Sequence, residues 1–208
     1  MVGSLGVMVE SAQASTASPS SCRSTRGSFV PARATISHIG RVRVISVGTN
    51  KDGSMGTPPL TNAGKKWLAW YNRSSKPGTG KGGVATDAHT WPDGSALGNK
   101  LLKSLVKGDT IVLTDAKAQK RVCYRVTSRK QYPRSKVPMN TVVNGTGKGQ
   151  TLSIVVCSGR RLGPRNWTDR TVWIAQAVRP AAPKPPTTPP PPPPPPSGGL
   201  LGGLGGLL

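Results

Sequence analysis

The sequence predicts a mainly β domain, a closed β-barrel of seven or eight strands with one or two short helices, set between disordered termini. Three observations lead there. Short runs of β-branched residues recur between turns rich in Gly and Pro. One stretch alone, Leu97 to Val106, keeps convincing helical spacing. Both ends of the 208-residue chain collapse into low-complexity composition, which leaves a middle of ordinary globular character. Many short strands with few helices fit a barrel better than a layered α/β sheet.

The elements follow in order. Arg33 to Ile39 and Arg41 to Val47 read as strands broken near Gly40. Asn50 to Gly56 (NKDGSMG) is turn chemistry, and Pro58-Pro59 stops any strand there. Trp67 to Tyr71 (WLAWY) reads as a short aromatic strand, Ser74 to Gly83 as a Gly/Pro loop, and Gly83 to Thr90 as a buried strand. In the helix, Leu97, Leu101, Leu102 and Leu105 share one face, and Gly108-Asp109 follows it. Thr110 to Thr114, Lys120 to Ser128, Leu152 to Cys157 and Thr171 to Ala177 are further strands. The long connection from Arg129 to Gln150 is read as a functional loop, because structureless loops of that length are uncommon in compact domains.

The ends divide the chain. Residues 1–14 read as the back half of a secretory signal: MVGSLGVM is mildly apolar and Ala12-Gln13-Ala14 fits a small-x-small cleavage site, although no basic region precedes them. The alternative is an N-terminus without targeting meaning. Residues 15–29 read as a flexible linker, 30–179 as the one folded domain, and 180–208 as a disordered tail that opens with a stiff polyproline rod. No apolar run is long enough for a transmembrane helix.

The net charge of +22 draws the chain to polyanions. Its cations are scattered rather than gathered in an arm or stripe, and no helix-turn-helix, zinc spacing or RNA-binding aromatic motif accompanies them. Nucleic acid is therefore excluded as the expected partner, and an anionic wall polymer is retained. Of the three cysteines, Cys22 and Cys123 could pair in an exported protein and leave Cys157 over. Three separate buried thiols are the alternative.

His89 and Cys157 each end an apolar strand and open into a loop, a placement that exposes reactive groups on a rigid scaffold. A thiol near an imidazole can become a nucleophilic thiolate, and Arg170, at the start of the last strand, offers a permanent positive charge for a developing oxyanion. A buried thiol unrelated to His89 is the competing reading of the same residues. His38 reads as a surface or turn residue, and Asp87, two residues before His89, as a group able to affect its protonation.

From Val30 to Val178 the chain resembles the sortase family, particularly its actinobacterial class F type. The resemblance is carried in order by Pro31 to Ile36, by Trp70-Tyr71 with Lys76-Pro77-Gly78, and by Val84 to Thr90. It continues through Leu105 to Asp109, Leu152 to Cys157 and Trp167 to Arg170. Departures are Val156, where the family usually has Thr, and Ala88, where many class F members have Gly. The resemblance implies a monomeric cysteine transpeptidase at the extracellular face of the cell envelope. It would cleave LPXTG-like sorting-signal peptides with Cys157 as nucleophile, His89 as acid and base and Arg170 steadying the oxyanion. A cell-wall amine would be the acceptor. No cofactor and no metal is implied. The competing function is a non-catalytic basic surface protein that binds anionic wall polymer.

Overall fold

The computed structural model describes residues 22–164 and 166–178. Eight strands form one closed barrel: β1 (Arg33–Ile36), β2 (Gly40–Val47), β3 (Leu68–Tyr71), β4 (Gly82–Ala88), β5 (Thr110–Thr114), β6 (Arg121–Pro133), β7 (Gln150–Gly163) and β8 (Asn166–Ala177). Helix α1 (Leu97–Ser104) follows β4, and α2 (Met139–Asn144) lies between β6 and β7. Around the barrel the order is β1-β2-β3-β4-β7-β8-β6-β5, with β5 paired back onto β1. The pairs β2/β3 and β4/β7 are parallel and the rest antiparallel. The parallel β4/β7 pair needs a long crossover, which the chain from α1 to α2 supplies.

Strand alternation divides the residues between two clusters. The barrel interior takes Ile36, Leu68, Val84, Ile111, Leu113, Tyr124, Leu152, Ile154, Val156 and Trp173, all buried, and α1 plugs it with Leu97, Leu101 and Leu105. Burying an aliphatic or aromatic side chain of this kind contributes about 1.5–3 kcal/mol. The Trp173 indole donates to the Leu105 carbonyl at 3.0 Å, so the largest core side chain leaves no buried polar group unsatisfied and ties α1 to β8. A second cluster lies on the outer face, where Ala85 of β4, Val155 of β7 and Val172 of β8 pack under Val142 of α2.

The expected barrel, strand count and helix are present, and several boundaries differ. The first strand stops at Ile36 rather than Ile39, because His38 turns the chain at φ 63°. His38 is indeed at a turn, bonded to Asp109 at 3.1 Å. The Arg129–Gln150 connection is not one loop. Its first residues continue β6 as far as Pro133, and α2 occupies its centre. The sequence SRKQYP has no strand pattern of its own; pairing with β8, from Ser128↔Ile174 to Pro133↔Asp169, makes it a strand.

Cys22 and Cys123 form a disulfide with Cα atoms 5.6 Å apart. Within the span read as a linker, residues 22–29 run along β6: Thr25 N–H donates to the Arg121 carbonyl at 2.8 Å, and Phe29 is buried in the barrel core. The bridge spans 101 residues of sequence. For a loop of that size the chain-entropy model sets a stabilisation of at most about 4.7 kcal/mol. Residues 1–14, read above as a signal remnant, and residues 180–208, read as a tail, lie outside the described residues.

Candidate active site

The outer face of β4, β7 and β8 carries the chemistry. On β4 the outward residues run Ala85, Asp87 and then His89 just past the strand end. On β7 they run Val155 and Cys157, and on β8 Arg170 and Val172. The register aligns them: Asp87 pairs with Val155, Ala88 with Val156, and Cys157 with Arg170. One step beyond Ala88/Val156, His89 comes alongside Cys157. Paired strands lie about 4.8 Å apart, so Cys157 stands between His89 on one side and Arg170 on the other. Tyr132 of β6, paired with Arg170, continues the row. All three predicted residues line one groove of about 630 Å³.

Each member is held by its own local structure. The Thr90 hydroxyl donates to the Cys157 carbonyl at 2.6 Å, tying the histidine loop to the end of β7. Gly98, at the start of α1, donates its N–H to the His89 carbonyl at 2.8 Å. A Cβ at Gly98 would meet that carbonyl oxygen at 2.5 Å, so only glycine allows the helix to press against the loop. Asn99 closes the loop further, donating to the Trp91 carbonyl and accepting from its N–H. The His89 ring hydrogen-bonds through Nε2 to the Pro58 carbonyl at 2.5 Å. A carbonyl can only accept, so this contact places a proton on Nε2. The Arg170 guanidinium donates to the Asp169 carbonyl at 2.8 Å, which anchors it near its own backbone.

After Cys157, β7 bulges: its register against β8 shifts between Ser158 and Arg161. Gly159, at φ 76°, makes this turn, where any side chain would collide with the Thr168 hydroxyl and the Asp169 carboxylate. The bulge brings Arg161 to the groove wall, which Met55, Leu60, Val137, Met139 and Trp167 make largely apolar.

The electrostatics are coupled. Burial pushes the Cys157 thiol up from its ordinary value, Arg170 pulls it down, and Asp87 pushes it up again. Asp87 itself is raised to about 7 by burial, with Arg170 opposing the rise. Arg170 therefore stabilises an anion on either Cys157 or Asp87, and the two anions disfavour each other.

The residues that sequence reasoning did not single out are Arg161, Met139 and the Pro58 carbonyl. Arg161 follows a bulge that breaks strand periodicity, and Met139 belongs to a helix inside the presumed loop. The Pro58 contact crosses 31 residues of sequence and involves only backbone, so no side-chain pattern marks it.

A barrel of this topology, with Cys, His and Arg side chains converging on an outer groove, defines a candidate thiol-dependent acyl-transfer fold. The sortase domain family model matches residues 36–178, well over half of the chain. The chain belongs to the sortase family. Members of this family are transpeptidases that act on sorting-signal peptides and amine acceptors. Solved structures with the same fold include sortase A of Listeria monocytogenes, at TM-score 0.51 and 20% identity, covering 73% of this chain and 89% of that one. Sortase A of Corynebacterium diphtheriae, a lid mutant, aligns at TM-score 0.53 and 16% identity over 74% of this chain and 72% of that one. Sortase C1 of Streptococcus agalactiae, in complex with MTSET, aligns at TM-score 0.52 and 12% identity over 74% and 71%. No curated protein matches the sequence.

Proposed function

We propose that this chain is a class F-type sortase of the cell envelope, with a catalytic domain at residues 30–179. It cleaves an LPXTG-like signal between Thr and Gly and joins the Thr carboxyl to an amine of a cell-wall precursor. The observation that carries this reading is the row His89, Cys157 and Arg170 on three neighbouring strand positions, all open to one groove.

In this reading the Cys157 thiolate attacks the Thr carbonyl carbon. The C=O electrons move to oxygen, and the Arg170 guanidinium faces the resulting oxyanion. Collapse of the intermediate breaks the C–N bond, and protonated His89 gives its proton to the departing amine of Gly. The product is a thioester on Cys157. An incoming primary amine attacks that carbonyl, His89 accepts the amine proton, and the thiolate leaves. The apolar wall of Met55, Leu60, Val137 and Met139 suits the Leu and Pro of the signal. Arg134, Val137 and Met139 bring the β6–β7 connection into that wall.

The test is intact-mass analysis of the protein mixed with an LPXTG-containing peptide. The expected result is an adduct equal in mass to the acyl half of the peptide, attached at Cys157. A primary amine added next should discharge it as a new amide. A peptide that leaves Cys157 unmodified and yields no amide would remove the reading.

A second reading, attachment to anionic wall polymer, is favoured by a separate cleft of about 310 Å³. Arg41, Arg43, Lys66 and Lys100 line it together with Trp67. The Arg43 guanidinium lies 4.6 Å over the Trp67 ring, which holds it in place. Binding there is expected to weaken steeply with salt and to survive Cys157→Ala. Polymer co-sedimentation at two ionic strengths measures it, and salt-independent binding counts against it.

A further inference from the structure

Asp87 sits in the wall of the candidate active site without a part in the steps above. Strand alternation directs it outward, between Ala85 and His89 on β4, and the β4/β7 register sets it against Val155, one pleat from Cys157. It lines the same groove as Cys157 and Arg170. The charged and titratable groups that share its groove are His89 just past the end of β4, Cys157 on β7, Arg170 on β8, and Arg134 and Arg161, while Tyr71 of β3 packs on the adjacent cluster around Ala85 and Val155.

We propose that Asp87 is a positioning residue that restrains Cys157: its carboxylate and the Cys157 thiolate compete for the guanidinium of Arg170. This deepens the reading of Cys157 as the nucleophile and rests on that reading for its effect on turnover. The physical basis is that two anions sharing one cation in a partly desolvated site cannot both form at full strength. When Asp87 is protonated, Arg170 serves the thiolate and the oxyanion alone. When Asp87 ionises, part of that positive field is spent on the carboxylate and the thiol holds its proton to higher pH. Since Asp87 is raised to about 7, the exchange falls in the neutral range. The sign is definite: removing the negative charge favours the thiolate.

The experiment measures the rate of Cys157 alkylation by iodoacetamide against pH, in the wild type and in Asp87→Asn. Iodoacetamide is uncharged, and the thiolate displaces iodide to form a thioether, so the rate reports the thiolate fraction. Cys157 is the free thiol among three cysteines, the other two being bridged, and labelling is therefore assigned to it. The Asn variant is expected to reach its half-maximal rate at lower pH, with alkylation about threefold or more faster at pH 7. Asp87→Ala, measured in parallel, should move the curve in the same direction. Identical curves in all three proteins, or a uniform loss of rate without displacement along the pH axis, would overturn the proposal.

Peptide transfer by the same samples separates this inference from the reading beneath it. If Cys157→Ala still transfers peptide, the nucleophile assignment fails while a displaced alkylation curve in Asp87→Asn still stands. If Cys157→Ala is dead and the Asp87→Asn curve matches wild type, the Asp87 inference fails alone.

Discussion

Cys157→Ala is expected to form no acyl adduct with an LPXTG-type peptide and to lose at least about 10³-fold in transfer rate. The loss is large because nothing else in the groove can form the covalent intermediate. His89 is engaged by Pro58, and the hydroxyls lining the groove, of Ser54, Thr57 and Thr90, donate to Asp52, the Pro58 carbonyl and the Cys157 carbonyl. The substitution should leave folding almost untouched. Cys157 is only partly buried, on the groove side of β7, and the core face of that strand is carried by Leu152, Ile154 and Val156. Removing one sulfur there costs within about 1 kcal/mol of stability. Thermal unfolding beside the mass assay therefore separates loss of chemistry from loss of fold. A Cys157→Ala protein that keeps wild-type transfer would end the thioacyl mechanism.

His89→Ala comes second, with an expected loss of about 10²–10⁴-fold in acylation. Two contributions vanish together: the acid that protonates the leaving amine, and the positive charge that favours the thiolate. The two can be told apart. A peptide with an activated leaving group that departs without a proton should recover part of the acylation rate, whereas alkylation of Cys157 by iodoacetamide should remain slow. The backbone around position 89 is held by Thr90, Gly98 and Asn99 rather than by the imidazole, so the loop should keep its place. Acylation of His89→Ala at the wild-type rate, on an ordinary peptide amide, would remove His89 from the mechanism.

Much of the fold was legible because it rests on local pattern. Alternating residues in Thr110 to Thr114 and the apolar run Leu152 to Cys157 announce strands directly, and the leucine spacing in Leu97 to Val106 announces α1. His89 and Cys157 drew notice because each ends an apolar run and opens into a loop, and the resemblance to the sortase family singled them out together with Arg170. Boundaries were less legible. The outer half of β6 and the bulged end of β7 are polar, and they are strands only because β8 supplies their hydrogen-bond partners. α2 was hidden for a similar reason. It is six residues long, too short to form alone, and it persists because Val142 packs on Ala85 and because Gly83 lets the end of the helix approach β4.

The pairing of Cys22 with Cys123 shows the same division. Their spacing in the sequence left two arrangements open, and the path of residues 22–29 along β6 brings the two Cα atoms to 5.6 Å. Asp87 is the clearest case within the site. Its position two residues before His89 is plain in the sequence. That it shares the field of Arg170 with Cys157, 70 residues further along the chain, is not.

The sequence by itself determined the barrel class and the leucine-spaced helix, because these depend on periodicity, while His89, Cys157 and Arg170 became candidates through the resemblance to the sortase family. Only the tertiary structure decided which of them meet. Strand register is set by long-range pairing, and a slip of one residue would turn Cys157 from the groove into the core. The parallel register of β4 on β7 and the antiparallel register of β7 on β8 place His89, Cys157 and Arg170 in one row, with Asp87 on the same face one pleat away.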